Sequence, residues 1–244
     1  MTLTDQVFFT ESTSMNQALN EILRTAEEIQ RIPEVDTFTS NHVLPPRFFD
    51  LLDRLYEQHD RLMGLSLEEE RVDVICRQKC DACCYQNIDG IYSFETVNMY
   101  REIKSGREFT RLFKALEANA RASDDLLFDG LEKGVRGDQI DALFQRTYAQ
   151  YASLKRPCAF LSFDNCKIYD ARPIPCRNFF ATKSPELCGT FKGTNFRIEL
   201  PDEITDVLLN ISERMMTPQA DYFPTGLVRF AQDVMRFRPL PSYE

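Results

Sequence analysis

Residues 76–84 read CRQKCDACC, which places Cys76, Cys80, Cys83 and Cys84 within nine positions. A second group lies in residues 157–188, PCAFLSFDNCKIYDARPIPCRNFFATKSPELC, and carries Cys158, Cys166, Cys176 and Cys188. Together these are the eight cysteines of a 244-residue chain. The stretch 155–200 is rich in Pro, Cys, Arg and aromatic residues and shows no long helical period, so it reads as irregular, with a short strand near 194–200. Irregular segments of this length are uncommon inside a folded domain unless something holds them, and a bound metal centre would do so.

The flanks are helical in pattern. From Ser14, the positions Met15, Ala18, Leu19, Ile22, Leu23, Ala26 and Ile29 recur at helical spacing, and Pro33 ends the run. Pro45–Pro46 introduces a second helix with Phe48, Phe49, Leu52, Leu55, Tyr56, His59 and Leu62 on one face and Gly64 near its end. Ser66 followed by Glu69 has the spacing of a capping box and predicts a third helix from Leu67 toward Ile75, with Glu68–Glu70 in its first turn. Ser93 predicts a cap for a helix over 94–105 that stops at Gly106. Helical patterns follow over 107–121, 124–133 and 138–154, then from Pro201, and last near 224–237. No βαβ alternation or Gly-rich phosphate loop occurs. The expected fold is mainly α, a helical domain with two irregular Cys-rich loop segments converging on a metal or iron–sulfur centre. Its parts are an N-terminal helical region (1–65), a cysteine-cluster domain (66–200) and C-terminal helices (201–244), packed as one domain.

Composition narrows the function. Against 29 basic residues stand 38 acidic ones, a net charge of −9, which repels phosphate backbones and argues against a nucleic-acid partner. No apolar run approaches the roughly 20 residues of a membrane helix. The N-terminus, MTLTDQVFFTESTSMNQ, has neither a basic n-region nor an apolar h-region, so a cytoplasmic location is expected. In a reducing compartment, clustered cysteines bind metal or do redox chemistry rather than form disulfides.

Cys80 and Cys83 are separated by two residues and readily meet at one ion or cluster. Were the segment a continuous helix, Cys76 and Cys84 would lie about 12 Å apart at ~1.5 Å per residue. Bonds of ~2.3 Å to one ion could not reach both. Either the helix breaks near Cys80 or Cys76 belongs to another site. Arg172 and Arg177 flank Cys176; their guanidinium groups would offset thiolate charge and donate to sulfur, against the alternative of surface ion pairing. Tyr169, Tyr92 and Asp170 are further candidates for a pocket lining.

The chain resembles the CxxCxxCC family of zinc- or iron-chelating cysteine-cluster proteins, which includes flagellin lysine N-methylase. The resemblance is carried by Cys80, Cys83 and Cys84 with YSFET (Tyr92–Thr96), and by PCAFL, CKIYDARPIPCRNF and SPELC. It spans about 76–188, and its first spacing, Cys76-x3-Cys80, departs from the family's pattern. All eight cysteines are then candidate ligands, with Arg172, Arg177 and Tyr169 supporting the centre. Thiolate ligation suits zinc and iron–sulfur clusters alike. His42 and His59 are the only histidines and lie away from both groups, and His59 reads as a core residue. All-sulfur ligation with arginine neighbours tilts the expectation to a [4Fe–4S] cluster, with Zn2+ second.

Three functions remain open. The first is metal binding. The second, implied by the resemblance, is a cluster-dependent S-adenosylmethionine methyltransferase acting on a protein lysine. The third is a thiol redox switch. Cys76-x3-Cys80-x2-Cys83 also spells the radical S-adenosylmethionine motif, but the β/α barrel that motif requires is not predicted. Adjacent Cys83 and Cys84 are expected to point apart, and Cys188, followed by Gly189, to be the peripheral thiol. The many phenylalanines, Phe160 and Phe179–Phe180 among them, are read as core and as shielding for the centre.

Overall fold

Ser12 starts the first helix, α1 (Thr13–Gln30), by accepting the Met15 N–H on its hydroxyl at 3.5 Å. Its stripe of Met15, Ala18, Leu19, Ile22, Ala26 and Ile29 is buried. The computed structural model describes residues 12–76, 80–88, 90–132, 139–182, 195–216 and 223–241. A short helix not expected from the sequence, α2 (Glu34–Asn41), buries Val35 and Phe38. It begins directly after Pro33, just past the end of α1 at Gln30.

Helix α3 (Pro46–Glu69) opens on the Pro45–Pro46 pair and runs through Gly64 without a break. The predicted third helix is thereby corrected. Ser66 is fully buried and its hydroxyl donates back to the Leu62 carbonyl at 2.9 Å, so it serves the helix interior instead of capping a new start. The continuing apolar face of Leu62, Met63 and Ser66 outweighs the roughly 1 kcal/mol that a helical glycine costs. Glu68–Glu70 accordingly sit at the end of α3, not in a first turn, and residues 72–76 are extended.

Helix α4 (Ser93–Lys104) is the most enclosed: Phe94, Glu95, Thr96, Val97, Asn98, Met99, Tyr100 and Ile103 are all buried. Ser212 ties its first residue, accepting the Ser93 N–H at 2.7 Å. Helix α5 (Phe109–Glu132) merges the two helices expected over 107–133. No Pro or Gly interrupts residues 121–124, and the polar residues there make tertiary bonds: Ser123 Oγ accepts from Asn87 Nδ2 at 2.6 Å and Asp124 Oδ1 from Thr225 Oγ1 at 3.0 Å.

Helix α6 (Gln139–Ser153) packs on α5. Two short hairpins and a four-residue helix then follow in the Cys-rich stretch: β1 (Leu161–Ser162) with β2 (Asn165–Cys166), α7 (Ile174–Arg177), and β3 (Phe179–Ala181) with β4 (Asn195–Arg197). Both pairs are antiparallel, with Leu161 opposite Cys166 and Phe180 opposite Phe196. Pro201 leads into α8 (Asp202–Met215), whose Asp202 and Glu203 favour its positive end. The last helical segment is α9 (Thr225–Arg229), continued by a wider π turn over Phe230–Val234.

The core lies between α1, α3 and α8, with α4 packed on α8 and with α5 and α9 closing the other side. The region assigned to 201–244 packs on α1 and α4, so the three sequence regions share one core. Among the described residues, no helix is long and apolar enough to cross a membrane.

Candidate metal centre

Ile75 N donates to Ala181 O at 2.9 Å, so the segment bearing Cys76 runs beside β3 and not along a helix. The Ala181 N–H in turn donates to Cys76 Sγ at 3.2 Å. The cysteine segment is not a continuation of the helix: α3 ends at Glu69, well before Cys80, and residues 82–85 form a single 3-10 turn that carries Cys83 and Cys84. The two cysteine segments touch through their backbones, because Cys158 N donates to Cys84 O at 2.7 Å. Cys166 is on β2, and Cys176 is on α7 with its N–H bonded to Pro173 O at 2.9 Å.

Cys76, Cys80, Cys83, Cys84, Cys158, Cys166 and Cys176 all line one cavity of about 950 Å3. Segments more than seventy positions apart thus contribute cysteines to the lining of one cavity. Among the described residues, however, no group of three or more His, Cys, Asp or Glu side chains is gathered tightly enough to hold a single ion. Cys188 lies outside the described residues. The seven described cysteines are free thiols.

Electrostatics divides them into two overlapping groups. Burial raises the Cys76 thiol, and Cys80 and Cys83 add to the rise. Burial likewise raises Cys158 to about 12 and pushes up Cys166 and Cys176, with neighbouring thiolates contributing to each. Cys83 belongs to both groups and goes the other way, down to about 7. The chief cause is a hydrogen bond from the adjacent Cys84 thiol, and the Arg172 guanidinium helps. Cys84, as the donor of that bond, is raised. Cys83 and Cys84 sit side by side on the 3-10 turn as two free thiols, with no disulfide between them.

No family model, curated protein or solved structure matches the chain.

The three supporting residues expected from the sequence all line the cavity, in different ways. Arg172 stacks its guanidinium 3.6 Å above the Tyr169 ring and donates Nε to Tyr169 O at 3.0 Å, and its charge lowers the thiols of Cys83, Cys166 and Cys176. Arg177 is buried and committed elsewhere: Nε donates to Arg172 O at 2.8 Å, one terminal nitrogen to Asp60 Oδ2 at 2.6 Å, and the other to Asp170 O. It fastens the loop more than it serves sulfur. Tyr92 and Asp170 are not among the lining residues; Tyr92 stacks on Phe94 and the Asp170 carbonyl holds Arg177.

Phe160, Phe179 and Phe180 line the cavity. Sequence reasoning missed Met63, Met99, Asn119, Tyr148 and Tyr151, which complete the wall from the helical side, and Asn87 in the loop before Ile88. Tyr148 and Tyr151 share one face of α6 at a spacing of three, and that periodicity was the available signal. His59 is buried with neither ring nitrogen hydrogen-bonded to any described residue, and burial holds its pKa down at about 3. It is a neutral core residue.

Proposed function

We propose that this chain is a metal-binding cysteine-cluster protein that carries a [4Fe–4S] centre, with zinc the second choice. The observation that carries the reading is seven thiols from two remote segments lining one cavity. The donor set fits, since it is sulfur-rich, with arginine and aromatic groups around it. Thiolate ligation suits zinc and iron–sulfur clusters alike, and the Arg172 and Arg177 neighbours tilt the reading to the cluster. Cys83, Cys158, Cys166 and Cys176, whose charges act on one another, are the first four ligands to assign. A cluster there would supply one-electron transfer, or an open iron for a small ligand if only three thiolates bound it. The chain's own part is to keep Cys158, Cys166 and Cys176 neutral until they are recruited; each raised thiol gives up its proton on binding, so metal affinity rises with pH.

A second reading is a cluster-dependent S-adenosylmethionine methyltransferase acting on a protein lysine, as kinship with the CxxCxxCC family would imply. Cavity size supports it: about 950 Å3 is at the upper end of small-molecule pockets, more than an inorganic centre fills. A reducing, cytoplasmic setting suits both readings.

Oxygen-free purification followed by metal and acid-labile sulfide analysis tests the proposal. Iron with sulfide and a broad absorbance near ~400 nm is the expected result. A colourless zinc-loaded protein shifts the assignment to zinc, and a metal-free native protein overturns the metal reading altogether. Calorimetry of the cluster-loaded chain with S-adenosylmethionine decides the second reading, which fails if no heat of binding appears.

A further inference from the structure

Glu95 is a carboxylic acid with no solvent exposure, on a helix otherwise lined mainly by apolar side chains. One oxygen serves α4 itself: Oε2 accepts the Tyr92 N–H at 3.0 Å, a bond that the Tyr92-to-Glu95 spacing makes local. That bond does not require burial, since exposed glutamates make it at many helix starts. The other oxygen reaches across the fold. Oε1 accepts the Ile174 N–H at 2.6 Å and the Tyr56 hydroxyl at 3.5 Å.

Ile174 is the first residue of α7, the helix of four residues that carries Cys176. So short a helix cannot hold its own shape, because nucleation is unfavourable and its first N–H groups have no partner inside it. Pro173 precedes it and supplies no side-chain cap. Order must therefore come from outside, and two anchors supply it. Glu95 takes the N–H at one end. Arg177 at the other end ties back to Arg172 O, Asp170 O and Asp60 on α3, with its guanidinium 4.2 Å over the Tyr56 ring. Cys176 lies between the anchors.

We propose that Glu95 is a positioning residue for Cys176, holding the α7 turn at the depth that presents this thiol to the cavity. Glu95 does not itself line the cavity, so it acts through the turn and not on a bound group. A carboxyl group suits this place because its ionised form offers acceptors alone to the three donors that converge on it. An amide would turn an NH2 group toward one of them. The inference rests on reading Cys176 as a ligand, but it is tested apart from that reading, in metal-free protein.

The experiment is alkylation of the metal-free chain with iodoacetamide, with rates for Cys158, Cys166 and Cys176 resolved by peptide mass spectrometry. In Glu95→Ala, Cys176 should react roughly tenfold faster than in the parent chain, the scale of one lost buried hydrogen bond to a charged group, while Cys158 and Cys166 keep their rates. Glu95→Gln, which retains one acceptor, should fall between. If Glu95→Ala does not fold cooperatively, Glu95→Gln decides alone on the same selective criterion. An unchanged Cys176 rate, or an equal rise at all three cysteines, overturns the proposal, the second by showing a general loosening. A parent chain that never acquires metal would end the metal reading and leave this result standing.

Discussion

The helical body and the cysteine segments are held by different means. In the body, α4 is wrapped by α5, α8 and α9, and residues such as Phe94, Val97 and Tyr100 are almost without exposure. In the cysteine segments Phe160, Ile168 and Ile174 join the core, but none of the seven described cysteines is fully buried and Phe163 stands 94% exposed at the hairpin tip. Order there comes from single bonds: Cys158 N to Cys84 O, Ala181 N to Cys76 Sγ, and Arg177 to its three acceptors. One region would fold on its own hydrophobic content; the other leans on it through a few anchors, and a bound centre would add to them.

The largest expected effect tests the first half of that contrast. Phe94→Ala removes a buried ring stacked on Tyr92 and should cost ~3–5 kcal/mol in denaturant unfolding, equally with and without metal. Serine at Cys80, Cys83, Cys166 and Cys176 together should change the unfolding free energy of metal-free protein by less than about 1 kcal/mol while abolishing metal uptake. A large loss of stability in that metal-free variant would erase the distinction between the regions.

The same contrast explains what could be read from the sequence. Helix α1 and the first part of α3 follow from apolar spacing and proline, since burial is what drives them. The misread start at Ser66 arose because a serine followed by glutamate three residues later has cap spacing whether or not its hydroxyl is buried; only the tertiary fold turns that hydroxyl back to Leu62. The eight cysteines announce a site, but their arrangement depends on Ile75 pairing with Ala181 and on Glu95 reaching Ile174, contacts across roughly eighty to a hundred positions that no local pattern encodes. Arg177 was visible as a cation beside Cys176, while its partner Asp60, on another helix, was not.

Next in size is a pH effect centred on Glu95, where the two regions meet. Burial raises its carboxyl from an ordinary 4.5 to about 7. A raised folded pKa contributes stability that is complete below the unfolded value and is lost as pH rises through the folded one. Relative to Glu95→Gln, the parent chain should therefore lose ~1.4 kcal/mol per pH unit between pH 4.5 and 7, about 3 kcal/mol in all, and hold level above. His59, lowered to about 3, acts in the opposite sense: its contribution is present above an ordinary 6.5 and is lost as pH falls. In the parent chain the two trends oppose each other between pH 4.5 and 6.5. In Glu95→Gln the acid-side loss due to His59 should stand alone, and urea titrations at several pH values read both slopes.

The smallest effect on stability is the sharpest on chemistry. Cys83 is lowered to about 7 first by the Cys84 thiol and less by Arg172. The thiolate is the reactive form, so removing either support should raise the Cys83 pKa and slow its alkylation at pH 7 in metal-free protein. Cys84→Ala should lower the thiolate fraction and slow the alkylation most, since the chief cause of the lowered pKa is then gone. Arg172→Ala should slow the reaction less, because the Cys84 hydrogen bond remains, and should cost under about 1 kcal/mol of stability as a half-exposed cation. The order of these two rates is the discriminating result. If Arg172→Ala proved the slower variant, a guanidinium held by the second cysteine segment would be governing a thiol of the first. The 3-10 turn would then not be the source of Cys83 reactivity, and the first segment would depend electrostatically on the second even before any metal binds.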